Sequence, residues 1–342
     1  MIPRKQRYQE AHAQFGDRNS YSKTDPDATF MRMKEDPMMN GQLKPGYNVQ
    51  IGTQHQFVLY YDVNQRPTDQ RTLIPFLQKI DRHFVYIVAD AGYGSEPNYD
   101  HIMKVCFSIP LIPYTMYLKE LSRRYREDMS KRQNWLYEKA LDRYTDNHGI
   151  HFHYKNEYDR KDKAGNHRHF RVYQAEQRDD PEGYHWSTTP SGRLRQISIN
   201  PHWEAQKTFM RSQLDEEKTK AIFAQRKIED EPVFGHLKAN LKFHRVSVRG
   251  LTAVTNEVGI ALMAGNLGKL AKLTAQSPEL MASLISWQFC LCAQKSDQAT
   301  KRRANEKRPN IPKIIWVFDR FYFEARNYVP ASFLLVTINT IH

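Results

Sequence analysis

Two short runs of strand-forming residues, close together in the chain, constrain the fold of this sequence most strongly. Residues 47–51 alternate apolar and polar side chains, and residues 57–63 are apolar, β-branched and aromatic. Such runs are typical of strands, and the polar residues 52–56 between them favour a turn. The sequence therefore predicts two adjacent strands joined by a short turn.

A helix, a buried strand and a second helix are predicted directly after this pair. Residues 67–69 can open a helix, because a Thr or Asp side chain accepts hydrogen bonds from the free amides of a first turn. Residues 84–90 are almost continuously apolar, which favours a strand buried on both faces. A further helix can start at Glu96, after Gly92 and Gly94. Strand, strand, helix, strand, helix predicts an α/β fold.

The charge balance indicates a polyanionic partner. The chain has 51 Lys and Arg residues against 38 Asp and Glu, a formal net charge of +13 spread over most of its length. Nucleic acid is the partner that such a balance favours first. The three cysteines, Cys106, Cys290 and Cys292, lack disulfide or zinc spacing, which is typical of a reducing compartment. Because no apolar run is long enough for a membrane span, we expect a cytoplasmic, nucleoid-associated protein without a membrane partner.

Changes in composition along the chain predict five segments. A polar N-terminal arm precedes the first part of an α/β core. A basic α+β insertion rich in Tyr, His, Arg and Lys follows, in which residues 150–154 and 169–173 can pair as strands. A helical second part of the core leads into a basic, irregular tail. The last helix of this part is predicted to have one apolar face, formed by Leu251, Val254, Val258, Leu262 and Leu267. The predicted boundaries are 1–45, 46–109, 110–214, 215–275 and 276–342.

Two carboxylates stand where catalytic groups are expected. Asp90 ends the buried strand, at the edge where α/β sheets place ligands, although an Asp before a glycine also occurs in turns. Glu231 precedes Lys238 by two helical turns and follows Lys227 by one, so a continuous helix puts all three on one face. That face is either a solvated stripe of ion pairs or a hard-metal ligand beside phosphate-binding ammonium groups. Pro232 begins or kinks the helix at this point.

Four stretches of sequence recur together in one order. They are LKPGYNVQI (43–51), RPTDQRTL (66–73), ADAGYGS (89–95) and RKIEDEPVFG (226–235). In this combination they resemble bacterial insertion-sequence transposases with a DDE domain. The resemblance extends from about residue 5 to residue 273.

The resemblance implies an RNase H-like catalytic core, a mixed sheet with flanking helices, in which three carboxylates hold two divalent ions, Mg²⁺ or Mn²⁺. Asp90 matches the second of these carboxylates and Glu231 the third, and Lys238 matches a lysine that contacts transposon-end DNA. Two metal ions stabilise the attacking and leaving oxygens of an in-line phosphoryl transfer. The implied partner is double-stranded DNA, as terminal inverted repeats and target, and a homodimer is compatible with this activity. We assign DNA contacts to Arg226, Lys227, Lys238 and Arg245.

The chain departs from the family pattern in two ways. Lys227 stands where the family has an Arg before the glutamate, and Phe223 and Ala224 occupy the region of a family Tyr. Lysine neutralises a phosphate but lacks the bidentate geometry of arginine. No apolar strand ending in Asp precedes Tyr47, where the family's first catalytic Asp belongs. We therefore expect an N-terminally truncated, inactive transposase whose core is incomplete at the first strand and has a sheet edge to be covered.

Other acidic residues are poor substitutes for the missing Asp. Asp25 and Asp27 lie in a polar, turn-like run, and Asp62, on the second predicted strand, matches a non-catalytic position. The sequence thus supplies two of three carboxylates.

Two alternatives stay open at this point. The residues His151, His153, His167 and His169 form two His-x-His pairs, and alternate residues of a strand share a face, so a zinc site is one interpretation. No cysteine supports it, and the same residues suit a basic, aromatic surface that faces DNA. The second alternative concerns the whole chain, which would be a noncatalytic DNA-binding derivative that occupies transposon ends or inhibits the full-length enzyme.

Overall fold

The computed structural model of this protein describes residues 2–16, 18–32, 41–162, 164–276 and 333–341. None of the helices within these ranges is long and apolar enough to cross a membrane. The helices and strands are, in chain order, α1 (Ile2–Phe15), β1 (Thr29–Arg32), β2 (Leu43–Gln54), β3 (Phe57–Asn64), α2 (Leu73–Leu77), β4 (Tyr86–Ala89), α3 (Glu96–Lys104), β5 (Ile109–Leu111), α4 (Tyr117–Glu120), α5 (Arg123–Glu127), β6 (Leu136–Glu138), β7 (Arg143–Thr145), β8 (His151–Lys161), β9 (His167–Ala175), α6 (Pro181–Ser187), β10 (Gln196–Ile199), α7 (Pro201–Asp215), α8 (Glu217–Gly235), α9 (Leu251–Gln276) and β11 (Phe333–Ile341).

The chain forms two compact units. The first combines Met1–Pro67 with Lys227–His342, and the second is Thr68–Arg226. The boundary between Arg226 and Lys227 falls inside α8. In this division the residues of the predicted N-terminal arm fall in the same unit as α9.

The first unit is built on the hairpin of β2 and β3. The two strands pair antiparallel along residues 48–54 of β2, which confirms the predicted strand pair. The turn is shorter than the five residues predicted, because β2 continues through Gln54 and only His55 and Gln56 separate the strands. Both turn residues have positive φ, 53° and 62°, as a two-residue type I′ hairpin requires.

Two further strands pair with β2. Strand β1 lies antiparallel to residues 43–46, and β11 lies antiparallel to residues 47–53. Val336 of β11 is fully buried. The expectation of an irregular tail is therefore corrected for residues 333–341, because this β-branched and apolar run satisfies the backbone groups of an edge of β2 that would otherwise stay unpaired.

A hydrophobic core joins α9 to the strands of this unit. Alternate residues of β2 pack against Val254, Val258 and Leu262, which are buried as the sequence predicts. Leu267, also assigned to this apolar face, is instead 48% exposed. It follows Leu262 by five residues, about 140° around a helix, and so leaves the buried stripe.

The turn around Asp25 and Asp27 holds the beginning of α9. Asp25 accepts a hydrogen bond from the Gly250 amide at 3.2 Å, and Asp27 accepts one from the Leu251 amide at 2.8 Å. Both carboxylates thus meet amides that a helix start leaves without intrahelical partners, at the positive end of the helix dipole. The Tyr47 hydroxyl donates to Asp25 at 2.7 Å. Burial of the hydroxyl is the main reason that the pKa of Tyr47 is raised, and the negative charge of Asp25 raises it further.

The second unit contains the predicted buried strand. All four residues of β4 are buried, and β4 pairs in parallel with β5 across α3, a β-α-β connection. Helix α3 begins at Glu96 as predicted. The helix predicted to open at residues 67–69 begins later, at Leu73, because residues 69–72 form a hydrogen-bonded turn first.

Residues 136–199, within the range predicted to be an insertion, contain a five-stranded antiparallel sheet of the second unit. Its order is β10-β9-β8-β7-β6, and β8 pairs with β9 as predicted. The register differs from a pairing of residues 150–154 with 169–173, because of these two segments only Tyr154 and Tyr173 lie opposite each other. A small core under this sheet contains Ile150, Phe152, Tyr173, Ala175 and Ile199. Beyond its pairing with β7, β8 is exposed along most of its length.

Candidate active site

Asp90 follows the buried strand β4 directly and leads into a single 3-10 turn, Ala91–Tyr93. Its carbonyl accepts a hydrogen bond from the Tyr93 amide at 3.0 Å, but its side chain makes no capping bond. The carboxylate is 43% exposed. The turn therefore uses the backbone of Asp90 and leaves the carboxylate to other partners, which argues against a purely capping role.

The partner of this carboxylate is Arg226. The Nη1 atom of Arg226 donates to Oδ1 of Asp90, and the guanidinium also lies 5.6 Å from the centre of the Phe223 ring, one helical turn away in α8. Two residues predicted for different roles, a metal ligand and a DNA contact, thus form an ion pair. They are 136 positions apart in the chain, so no local pattern in the sequence could have indicated their contact.

Two glycines after Asp90 permit close packing of the turn. A Cβ at Gly94 would lie 2.5 Å from the Pro113 carbonyl oxygen and 2.9 Å from the Tyr114 Cα. A Cβ at Gly92 would lie 3.0 Å from the Asp69 carboxylate. Gly94 is therefore required by the close approach of neighbouring backbone, and Gly92 leaves room for the Asp69 side chain.

Glu231 lies in α8, which continues through Pro232 without ending there. The side chain of Glu231 is outside the described part of the structure. The neighbouring turn of this helix is held by the β2–β3 hairpin, since Gln56 donates to the Ile228 carbonyl at 3.0 Å. Buried Glu229 also accepts from the His55 amide at 2.9 Å. The hairpin turn thus fixes the helix backbone close to Glu231.

A lysine of α9 completes this anchor. Lys269 donates to the His55 carbonyl at 2.5 Å and to the Gln56 side chain at 2.8 Å. Burial lowers the pKa of the Lys269 ammonium, and the negative charge of Glu229 opposes that shift. The segment that carries Glu231 is therefore tied to both the hairpin and α9.

The remaining predicted DNA contacts lie in the first unit. Lys227 is exposed on α8, and Lys238 is half-buried in a π-helical turn, His236–Asn240, that follows it. Arg245 is exposed in the loop before α9. Within the described ranges, no group of three or more His, Cys, Asp or Glu side chains could hold a metal ion. The exposed carboxylate of Asp90 has the hard oxygen ligands that Mg²⁺ prefers.

Three of the four histidines that suggested a zinc site have other partners, and among them His153 lies 3.8 Å from the Glu176 carboxylate. His169 lies between Asp159, at 3.0 Å, and Glu157, at 3.4 Å, and the His151 ring lies 3.0 Å from the Thr145 hydroxyl. Around them, Arg171 lies over the Tyr154 ring at 4.8 Å, so cationic and aromatic groups alternate on this sheet. Such a surface can contact phosphates and bases.

A family model described as Transposase DDE domain matches residues 18–267, which is most of the chain. The chain belongs to this family. Searches of curated proteins and of solved structures give no match. Membership in the DDE transposase family makes DNA transposition the functional class of this chain and DNA its partner. DDE transposases generally use divalent metal ions.

Proposed function

We propose that this DDE transposase is of the bacterial insertion-sequence type, with an RNase H-like core in which Asp90 and Glu231 are the second and third metal-binding carboxylates. The observation that carries the proposal is the position of Asp90. Its carboxylate is exposed at the end of a fully buried parallel strand, the edge where α/β sheets place ligands and catalytic groups. The ordered stretches around both carboxylates support the same assignment.

Asp90 and Glu231 would hold Mg²⁺ or Mn²⁺. When bound, such ions stabilise the charge that develops on the oxygens of a transferring phosphoryl group. Without an ion, the guanidinium of Arg226 compensates the charge of Asp90. The metal and Arg226 therefore compete for one carboxylate.

Four cationic side chains would contact transposon-end DNA, acting in the nucleoid. They neutralise phosphates, and the arginines among them can also bind a phosphate through two parallel hydrogen bonds. A homodimer would bring two such surfaces to the two ends of one element. The four are Arg226, Lys227, Lys238 and Arg245.

We further propose that this chain cleaves DNA poorly unless a third carboxylate is supplied. Two carboxylates are fewer ligands than the three that the resemblance implies for two ions. Asp25 and Asp27 hold the start of α9, and Asp62 accepts a hydrogen bond from Asn64 at 3.1 Å, so these acidic groups already have structural partners.

The metal assignment is tested by titrating the full chain with Mn²⁺ and following the electron paramagnetic resonance signal of the free ion. We expect weak binding that Asp90→Asn and Glu231→Gln each reduce further. Glu127→Gln, an exposed carboxylate in an ion pair with Arg123, is the matched control and should bind like the unchanged chain. Binding that is insensitive to both site substitutions would remove the assignment.

The noncatalytic alternative is supported by the same basic surface together with the two-carboxylate site. Gel shifts in rising salt distinguish it from a chain without function. A duplex taken from the DNA that flanks the gene should stay bound at salt concentrations that release random-sequence duplex. Specific binding without Mg²⁺- or Mn²⁺-dependent cleavage supports the noncatalytic function, and cleavage of that duplex supports the enzyme.

A further inference from the structure

The loop between α8 and α9 is strongly basic and exposed. From residue 232 to residue 256 the sequence contains no Asp or Glu. In the basic loop, residues 241–250, the side chains of Lys242, Arg245 and Arg249 are exposed. No acidic side chain in the described part of the chain pairs with any of the three.

One side of the basic loop is held by the hydrophobic core. Phe243 and Val246 pack against the cluster that joins β2 to α9. The Phe243 amide also donates to the Leu237 carbonyl at 3.0 Å. These contacts alternate along the loop with the exposed cations, so the backbone is fixed beside each of them.

Glu257 of α9 holds the next part of the loop. Its carboxylate accepts from the Ser247 amide at 3.0 Å, from the Ser247 hydroxyl at 2.6 Å and from the Val248 amide at 3.3 Å. Burial by itself would raise the pKa of Glu257, but these hydrogen bonds outweigh it and lower the pKa. The loop then ends at Gly250, which Asp25 holds through its amide.

The backbone of the loop is constrained as well as anchored. Lys242 has a φ of 56°, in the left-handed region that favours glycine. A non-glycine residue is strained there and persists where the surrounding structure imposes the conformation. Strain of this kind is concentrated at ligand clamps and other functional sites.

We infer that the basic loop is a preformed phosphate clamp for duplex DNA, in which Lys242, Arg245 and Arg249 each contact a backbone phosphate and Glu257 is the residue that positions them. The inference rests on the proposed DNA-binding function and adds Lys242, Arg249 and Glu257 to it. These three exposed cations, which pair with no acidic side chain among the described residues, match the charge of a phosphodiester backbone. Because the anchors hold the loop before DNA arrives, little ordering entropy is lost on binding.

The number of phosphates that the protein neutralises is measured by the salt dependence of binding. Fluorescence anisotropy with a labelled random-sequence duplex gives the slope of log K against log salt concentration, and the magnitude of this slope is about 0.9 for each neutralised phosphate. The variant Lys242→Ala/Arg245→Ala/Arg249→Ala should reduce that magnitude by about 2.7. A thermal unfolding curve confirms that the variant is folded.

The matched control removes the same charge elsewhere. Arg123, Arg124 and Arg126 of α5 are also exposed, and their triple alanine variant lowers the net charge equally. A drop in slope confined to the loop variant supports the clamp. Equal changes in both variants, or an unchanged slope in the loop variant, refute the clamp while DNA binding itself survives. Absence of any duplex binding by the unchanged chain refutes the clamp and the proposed DNA-binding function together.

The positioning role of Glu257 is tested by coupling. Glu257→Ala should weaken binding several-fold while all three cations are present, and Glu257→Gln, which keeps a hydrogen-bond acceptor, should restore part of it. In the triple alanine loop variant, Glu257→Ala should have no further effect, because there are no cations left to position. An equal loss of affinity in both backgrounds would reduce Glu257 to a general stability role.

Discussion

The glycines of α9 permit a sharp test of how this helix packs. A Cβ added at Gly259 would overlap the Tyr61 hydroxyl oxygen and lie 2.8 Å from Cζ of the same ring. At Gly265, in the same helix, the nearest atom to an added Cβ is the His236 Cδ2 at 3.8 Å, an ordinary contact. The two positions therefore share a helical environment and differ in the space beside the backbone.

The expected energies follow from two opposing effects. Alanine in place of glycine stabilises a helix interior by roughly 0.5–1 kcal/mol, whereas inserting a methyl group into filled space costs typically about 1–3 kcal/mol. Gly265→Ala should show the gain alone. Gly259→Ala must displace the Tyr61 ring, so we expect it to destabilise the chain and to lie about 1–3 kcal/mol below Gly265→Ala.

Urea unfolding of the full chain, followed by circular dichroism, measures this difference. The double variant Gly259→Ala/Tyr61→Ala removes the overlapping ring, and relative to Tyr61→Ala alone it should recover the gain seen at Gly265. Equal stabilisation by Gly259→Ala and Gly265→Ala in the unchanged background would refute the described packing of α9 on β3.

Three further outcomes are expected. Tyr47→Phe removes the 2.7 Å hydrogen bond to Asp25 and should lower the free energy of unfolding by about 1–3 kcal/mol. A decrease below a few tenths of a kcal/mol would contradict the presence of this buried hydrogen bond. Arg226→Ala frees Asp90 from a partly exposed ion pair worth about 0.2–1 kcal/mol. The affinity for Mn²⁺ in paramagnetic resonance titrations should therefore rise by about 1.4-fold to fivefold. Weaker binding would contradict the competition between the metal ion and Arg226 for Asp90. Burial lowers the pKa of Lys269 from 10.5, so the unfolded chain binds more protons than the folded chain as the pH approaches that value. The free energy of unfolding should therefore rise with pH up to about 10.5. Unfolding curves in alkaline buffers measure this rise, which Lys269→Met should diminish.

The positions of several elements could be predicted from short patterns in the sequence. The alternation in residues 47–51 indicates a strand with one face against a core, because alternate side chains of a strand point to the same face. The continuous apolar run in residues 84–90 indicates a strand that is buried on both faces. Asp90 was predictable as an exposed group for a similar reason, since it is the first polar residue after such a run. Leu267 was assigned wrongly because its position five residues after Leu262, about 140° around the helix, was not taken into account.

Only the tertiary structure decided which distant parts of the chain are in contact. Arg226 meets Asp90, Asp25 and Asp27 hold a helix that begins over 220 residues later, and β11 pairs with β2. A strand or helix pattern arises from neighbouring residues and is readable locally. Which residue pairs with a charged side chain, with the first turn of a helix or with the edge of a strand depends on how the elements pack together. A sequence pattern with a period of two or 3.6 residues indicates the type of element but not its packing partner.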